Sequence, residues 1–195
     1  HPNWNMGHKI SVDSATLMNK LFELIEASKI FNLPINKFEI VIHPKSYVHA
    51  LVNFKNGLSK ILIHDTQMEI PIFNSIFYQT SETYKKNKDI NFKILNGKNF
   101  IKPTNSVFPF LKLINKYKRN DTYYEIILVI VNDFFVKSFL NGNISFQKMQ
   151  IKLLKKLKDP HLSKYYNNYP KKINDIYLIV DKVKKYLNEN EKISK

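Results

Sequence analysis

Residues Tyr123 to Leu140 form a long, heavily apolar run without Gly or Pro, closed by Asn141-Gly142-Asn143. That pattern predicts one long helix with a glycine-assisted stop. Ser145 then suits an N-cap, followed by Met149, Leu153, Leu154 and Leu157 on one helical face, with Pro160 ending the segment. Residues 161–170 read as a Tyr- and Asn-rich loop. Ile173 to Leu187 reads as a last amphipathic helix, with Ile176, Ile179, Val180, Val183 and Leu187 in register and Lys182, Lys184 and Lys185 solvated. Ser106 can cap a further helix that has Pro109 in its first turn and runs to Tyr117. Apolar stripes of this kind need one another, so residues 106–191 are expected to make a small helical bundle.

The start of the chain is different. His1 to Ile10 is a polar loop holding Trp4, Met6 and Gly7, and it leads into a helix. Asp13 or Ser14 can cap that helix, and Leu17, Leu21, Leu24, Ile25 and Ile30 recur at helical spacing until Asn32 and Pro34. Asn19 and Glu23 are four apart and Lys20 and Glu23 three apart, so they share a face. A hydroxyl, an amide, an ammonium and a helix N-terminus together suit a phosphate. Glu23, an acceptor-only group one turn further in, suits a hard cation. The same residues also suit a plain cap and a solvated ion pair.

Between these regions, Phe38 to Ile42 is short and β-rich, and His43-Pro44-Lys45 breaks it. Tyr47 to Phe54 and Leu58 to Ile63 read as two strands joined by Lys55-Asn56-Gly57, a hairpin signal. A hairpin packed on the first helix makes the expected fold α+β: a small domain with a β-sheet on helices, then the α-helical bundle. Residues 72–79 look helical. The expected organisation is a domain over 1–79 that carries the phosphate- and cation-compatible groups, a linker over 80–105 and the bundle over 106–191. His43 and His49, six apart with Pro44 between, match no common ligand spacing and read as structural histidines. His64 and Asp65 are neighbours on a strand end, where adjacent side chains point oppositely, so a base–orienter pair is discounted.

Composition removes several classes of function. With no Cys, disulfides, thiolate metal sites and a cysteine nucleophile are excluded. No apolar run approaches the ~20 residues needed to span a bilayer, so no membrane role is expected. A formal net charge of +15 invites a nucleic-acid reading. The basic residues, however, are nearly all Lys among abundant Asn, Ile and Tyr, and the only Arg is Arg119. Arg is the better base-reading and phosphate-forking group, so nucleic acid is not the expected partner.

HPNWNMGHKISVDSATLMNK with Glu23 closely resembles the active-site segment of the 1-deoxy-D-xylulose 5-phosphate reductoisomerase family. The resemblance continues through IHPKSYVHALV at 42–52 and QMEIPI at 67–72. It returns in FPFLKL at 108–113 and VNDFFVKSFLNGNISF at 131–146. It implies an NADPH- and Mg²⁺- or Mn²⁺-dependent enzyme that rearranges and reduces a phosphorylated sugar to 2-C-methyl-D-erythritol 4-phosphate, in non-mevalonate isoprenoid biosynthesis. It further implies a homodimer located in the bacterial cytoplasm or a plastid.

By position, the resemblance makes His1, Ser14, Asn19 and Lys20 substrate-phosphate ligands. Glu23 becomes a metal ligand that also contacts substrate, and the one catalytic group. Trp4 and Met6 become lid residues, and Gly7 and Met68 lie towards the cofactor. His8 stands where a basic residue is usual, Leu21 where many members have Gly, and Thr66 where a proline is common. The chain has only 4 Gly and no Gly-rich nucleotide fingerprint, and it begins inside a motif. It is therefore expected to be the C-terminal portion of a longer protein, inactive by itself and without tight NADPH binding. A different class remains open on the residues alone: a noncatalytic basic module that binds a partner or RNA.

Overall fold

The computed structural model describes residues 6–85, 89–96, 100–117 and 121–191. In chain order the elements are α1 (His8–Ala15), α2 (Met18–Ile30), a 3₁₀ turn (Ile35–Lys37), β1 (Val48–Asn53), β2 (Ser59–Ile63) and α3 (Glu69–Ile76). There follow α4 (Phe92–Leu95), a 3₁₀ helix (Pro109–Lys116), α5 (Tyr123–Leu140), α6 (Phe146–Lys156), α7 (Pro160–Ser163) and α8 (Ile173–Asn190). The fold is α+β. It divides into two compact units: Ile40–Pro103, and Met6–Glu39 together with the chain from Thr104 on. The hairpin thus falls in the first unit and α1 and α2 in the second.

In the helical unit α5 is the central element, packed against α1, α6 and α8. Its sequence is apolar nearly all round because it is buried nearly all round. Ile127, Leu128, Val131, Phe135 and Val136 are sealed, and only Val129, Asp133, Lys137 and Leu140 are exposed. A helix of this composition needs partners on most of its circumference. Met18 and Leu21 of α2, Met149 and Leu153 of α6, Leu157, Leu162 of α7, and Val183 and Leu187 of α8 complete the same core. The caps are local. Thr122 accepts from the Tyr124 N–H and Ser145 from the Lys148 N–H. Asp175 accepts from the Lys172 N–H, and Gly142 turns the chain after α5 at φ 75°.

A polar latch joins α6, α7 and α8. Glu191 accepts from Lys152 (2.7 Å) and pairs with Lys156 (2.9 Å). Lys156 also faces Asp159, and the Tyr186 hydroxyl donates to Asp159 at 2.6 Å. Burial alone would raise both carboxyls. The Lys152 and Lys156 bonds outweigh it at Glu191. Bonds from Tyr186, the His161 N–H and Lys156 outweigh it at Asp159, so both groups titrate below the ordinary carboxylate range. With native values depressed, the unfolded chain binds more protons in acid. The latch therefore contributes stability above an ordinary carboxylate pKa of about 4 and loses it as pH falls through the native values. The thermal midpoint should drop on acidification from about pH 5 downward. Lys156→Met should flatten that dependence; an unchanged acid profile would show the latch to be inert.

In the sheet unit, β1 and β2 pair antiparallel, with Leu51 opposite Ile61, Val52 opposite Lys60 and an irregularity between Val48 and Ala50. The Asn56-Gly57 turn is as expected: Gly57 has φ 87° and the Asn56 side chain accepts from the Leu58 N–H. Several boundaries differ from the sequence expectation. Phe38 to Ile42 is not a strand; only Ile42 forms a bridge, with Ile101. The helix expected at 72–79 lies at Glu69–Ile76. Ser106 bonds the Thr104 hydroxyl and caps nothing, and the segment after it is a 3₁₀ helix beginning at Pro109. The loop expected at 161–170 contains α7, started by Asp159 and Pro160.

Candidate anion and cation site at the α1–α2 kink

The expected single helix from residue 13 or 14 is two helices. α1 begins at His8 with Gly7 as its N-cap, so Asp13 and Ser14 lie in its last turn and cap nothing. The break falls at Thr16 and Leu17. Leu17 adopts the left-handed conformation, φ 59° and ψ 15°, which costs a leucine about 1–2 kcal/mol. Three features hold it there. Its side chain is buried, the Thr16 hydroxyl bonds the Val12 and Asp13 carbonyls, and the Met18 N–H reaches the Thr16 Oγ1 at 3.4 Å.

The kink places Ser14 just before the start of α2. Leu17, at the N-cap, makes no side-chain cap bond, the Met18 N–H is taken by the Thr16 Oγ1, and the first turn has no acidic residue; it carries Asn19 and Lys20. On the next turn the Glu23 carboxylate is shared: Asn19 Nδ2 donates to Oε1 and Lys20 Nζ to Oε2, both at 2.6 Å. Lys20 and Glu23 are each about half exposed, at 46%. Leu21, on the other face, is sealed in the core. The polar face is therefore open to solvent, and the anchoring of α2 comes from behind.

Two sets of bonds within the unit fix this arrangement. Lys29, near the end of α2, pairs with Glu125 of α5 and with Asp121. Asp13 of α1 is buried and accepts from Asn132 Nδ2 (2.8 Å) and Lys9 Nζ (2.9 Å), and Lys9 bridges on to Asp133 at 3.0 Å. Burial works to lower the Lys9 pKa, but its bonds to Asp13 and Asp133 outweigh it and leave the ammonium above its usual value.

Of the other expected residues, His1 and Trp4 lie outside the described residues. Met6 is half-buried and Gly7 is exposed, with no described residue within 4 Å of the position a Cβ would take. Met68 belongs to the sheet unit, where it is exposed and precedes α3. As a cation site the fit is partial. Glu23 offers one carboxylate, and among the described residues no group of three His, Cys, Asp or Glu could hold a metal ion. The residues here suit one ligand of a shared Mg²⁺ or Mn²⁺ site, not a complete one.

In the sheet unit, buried His43 is structural: its Nδ1 accepts from the Tyr47 N–H at 3.1 Å, which ties the turn. His49 and His64 stack with ring centroids 3.6 Å apart, a pairing that spacing alone did not suggest. His49 Nε2 meets the His64 carbonyl and His64 Nδ1 meets the Asp65 carbonyl. Carbonyls only accept, so each of those nitrogens carries its proton. His49 sits at the irregularity of the ladder, between Val48 opposite Ile63 and Ala50 opposite Leu62, so spacing in the sequence carries no signal for the stack. Beside it, a cavity of about 660 Å³ is lined by Tyr47, His64, Asp65 and Phe73 among others.

The chain is an α+β protein whose α1–α2 kink sets Asn19, Lys20 and Glu23 on one half-exposed helix face, with Ser14 in the last turn of the helix before it. Comparison with known proteins places it more closely. Residues 1–31 match the 1-deoxy-D-xylulose 5-phosphate reductoisomerase C-terminal domain, and residues 64–186 match a second family description, DXP reductoisomerase C-terminal domain. The chain belongs to the 1-deoxy-D-xylulose 5-phosphate reductoisomerase family.

Among similar proteins, the reductoisomerase of Pelagibacter ubique (strain HTCC1062) is 49% identical over 183 residues, 94% of this chain and 47% of that protein. The reductoisomerase of Sulfurihydrogenibium sp. (strain YO3AOP1) is 35% identical over 182 residues, 93% of this chain and 47% of that protein. A crystal structure of DOX-P reductoisomerase in complex with NADPH, fosmidomycin and magnesium superposes with a TM-score of 0.87 at 31% identity, covering 97% of this chain and 47% of that one. The Zymomonas mobilis enzyme in complex with NADPH gives a TM-score of 0.78 at 29% identity, over 90% and 45%. The chain thus spans about half the length of the curated relatives it matches.

Proposed function

We propose that this chain supplies the substrate-phosphate ligands and one metal ligand of a 1-deoxy-D-xylulose 5-phosphate reductoisomerase. That enzyme carries out the NADPH- and divalent-metal-dependent conversion of the sugar phosphate to 2-C-methyl-D-erythritol 4-phosphate. The observation that supports the reading is the start of α2, where Asn19 and Lys20 share the Glu23 carboxylate on a half-exposed face, and Ser14 precedes it in the last turn of α1.

In this reading the α2 N-terminus, Ser14, Asn19 and Lys20, with His1, bind the phosphate. Lys20 first leaves Glu23. An exposed pair three residues apart is worth only a few tenths of a kcal/mol, roughly 0.2–0.5, so a dianionic phosphate displaces it readily. Release of Lys20 frees Glu23 Oε2 to serve as a ligand and to contact substrate. Trp4 and Met6 close over the substrate and exclude water, and Gly7 and Met68 lie on the cofactor side. NADPH supplies the hydride and Mg²⁺ or Mn²⁺ the electrophilic charge; the chain's residues position and neutralise. The working protein is proposed to be a homodimer in the bacterial cytoplasm. Among the described residues no helix is long and apolar enough to cross a membrane.

The test is an NADPH-oxidation assay with 1-deoxy-D-xylulose 5-phosphate, run on the polypeptide joined to the other half that its relatives possess. Oxidation should require both the substrate and the divalent ion, and fosmidomycin should block it. The chain by itself should give no turnover. Oxidation independent of the sugar phosphate, or none at all in the joined protein, would refute the proposal.

A further inference from the structure

A fully buried amide lies in the middle of the most apolar helix. Asn132 is 0% exposed, yet its Oδ1 has no partner among the described residues and its Nδ2 donates to the Asp13 carboxylate, itself 3% exposed. Stability does not account for this. A buried carboxylate and a half-satisfied buried amide are costly, and a matched apolar pair would serve as well or better. What the pair adds is direction, because a hydrogen bond fixes an orientation that two methyl groups do not.

The bond leads straight to the kink. Asp13 is anchored through its side chain to Asn132, 119 residues away in sequence. The Asp13 carbonyl accepts from the Thr16 hydroxyl, whose oxygen takes the Met18 N–H, the first residue of α2. Ser14 follows Asp13 directly, and Asn19 and Lys20 follow Met18. Lys9 neutralises the second carboxylate oxygen and ties it to Asp133, the residue after Asn132.

We propose that Asn132 is a positioning residue of the phosphate site: through Asp13 it sets the α1–α2 kink, and so the placement of Ser14, Asn19 and Lys20. This rests on the functional reading given above. It touches neither substrate nor cofactor and acts through Asp13.

The experiment uses the active protein with both halves present and compares three forms. In Asp13→Leu/Asn132→Leu the thermal midpoint should be unchanged or higher. KM for 1-deoxy-D-xylulose 5-phosphate should rise roughly tenfold with kcat changed much less, the mark of lost ground-state binding. Amide hydrogen exchange at residues 17–20 should quicken. In the exchanged pair Asp13→Asn/Asn132→Asp, which restores an amide–carboxylate bond, KM should return towards the unmodified value. Unchanged KM in the Leu pair, or a KM in the exchanged pair as high as in the Leu pair, overturns the positioning role. If the Leu pair fails to fold, the exchanged pair decides alone: near-normal KM supports the role, raised KM overturns it. Absence of substrate-dependent turnover in the unmodified protein is a separate result, which refutes the functional reading and this role with it.

Discussion

Glu23→Gln, made in the chain joined to the half its relatives possess, should lower kcat by about 10³-fold at saturating metal, the equivalent of several kcal/mol of lost charge stabilisation. Gln is nearly isosteric, and its carbonyl can still accept from Asn19 or Lys20, so the helix is kept. The carboxylate it replaces is half exposed, and exposed pairs contribute at most about 1 kcal/mol. The thermal midpoint should therefore barely move while turnover collapses, and that split separates a metal ligand from a structural ion pair. Lys20→Ala should behave differently: it removes a proposed phosphate contact and should mainly raise KM, by roughly 10- to 100-fold. Steady-state kinetics at several Mg²⁺ concentrations tell them apart. Equal and mild losses from both substitutions would contradict the assigned roles.

Phe135→Ala should be the most damaging single change to the fold. Its ring is 1% exposed on the central helix and lies edge-on to Phe134, with centroids 5.3 Å apart. Truncating a buried Phe costs about 3–5 kcal/mol, part lost transfer energy and part cavity. For a chain of this size each kcal/mol lowers the thermal midpoint by about 2–4 °C, so a fall of roughly 10 °C is expected. Val129→Ala, one of the few exposed positions of the same helix, should change stability by no more than about 0.5 kcal/mol. Comparable shifts at the two positions, read from urea midpoints at constant m, would mean that α5 is not the centre of the bundle.

The helical unit was largely legible from local chemistry. The Tyr123–Leu140 boundaries hold at both ends, with Thr122 as the cap and Gly142 past the stop. Ser145 caps α6, and Val183 and Leu187 seal α8, because caps and apolar periods report short-range physics. The Asn56-Gly57 turn is legible for the same reason: one glycine at positive φ specifies it. The shared face of Asn19, Lys20 and Glu23 follows from helical spacing alone; the Lys20–Glu23 ion pair is as expected, and the Asn19 bond to Glu23 is added by the structure.

The kink was not legible, and the reason is physical. Nothing local favours a left-handed leucine, and the apolar period runs through Leu17 without a break. Asp13 and Ser14 read as caps because that is the common use of such residues before an apolar run. In the folded chain Asp13 is instead a cross-link to Asn132. The stack of His49 on His64 depends in the same way on a strand register that no single segment contains.

The amino-acid sequence by itself determined the main helices of the bundle and the hairpin turn, which of their faces are apolar, and that Asn19, Lys20 and Glu23 share one helix face. Only the tertiary structure decided where that helix starts. The burial of Leu17 and the bond between Asp13 and the distant Asn132 outweigh about 1–2 kcal/mol of backbone strain, and a contact spanning 119 residues leaves no mark on either segment alone.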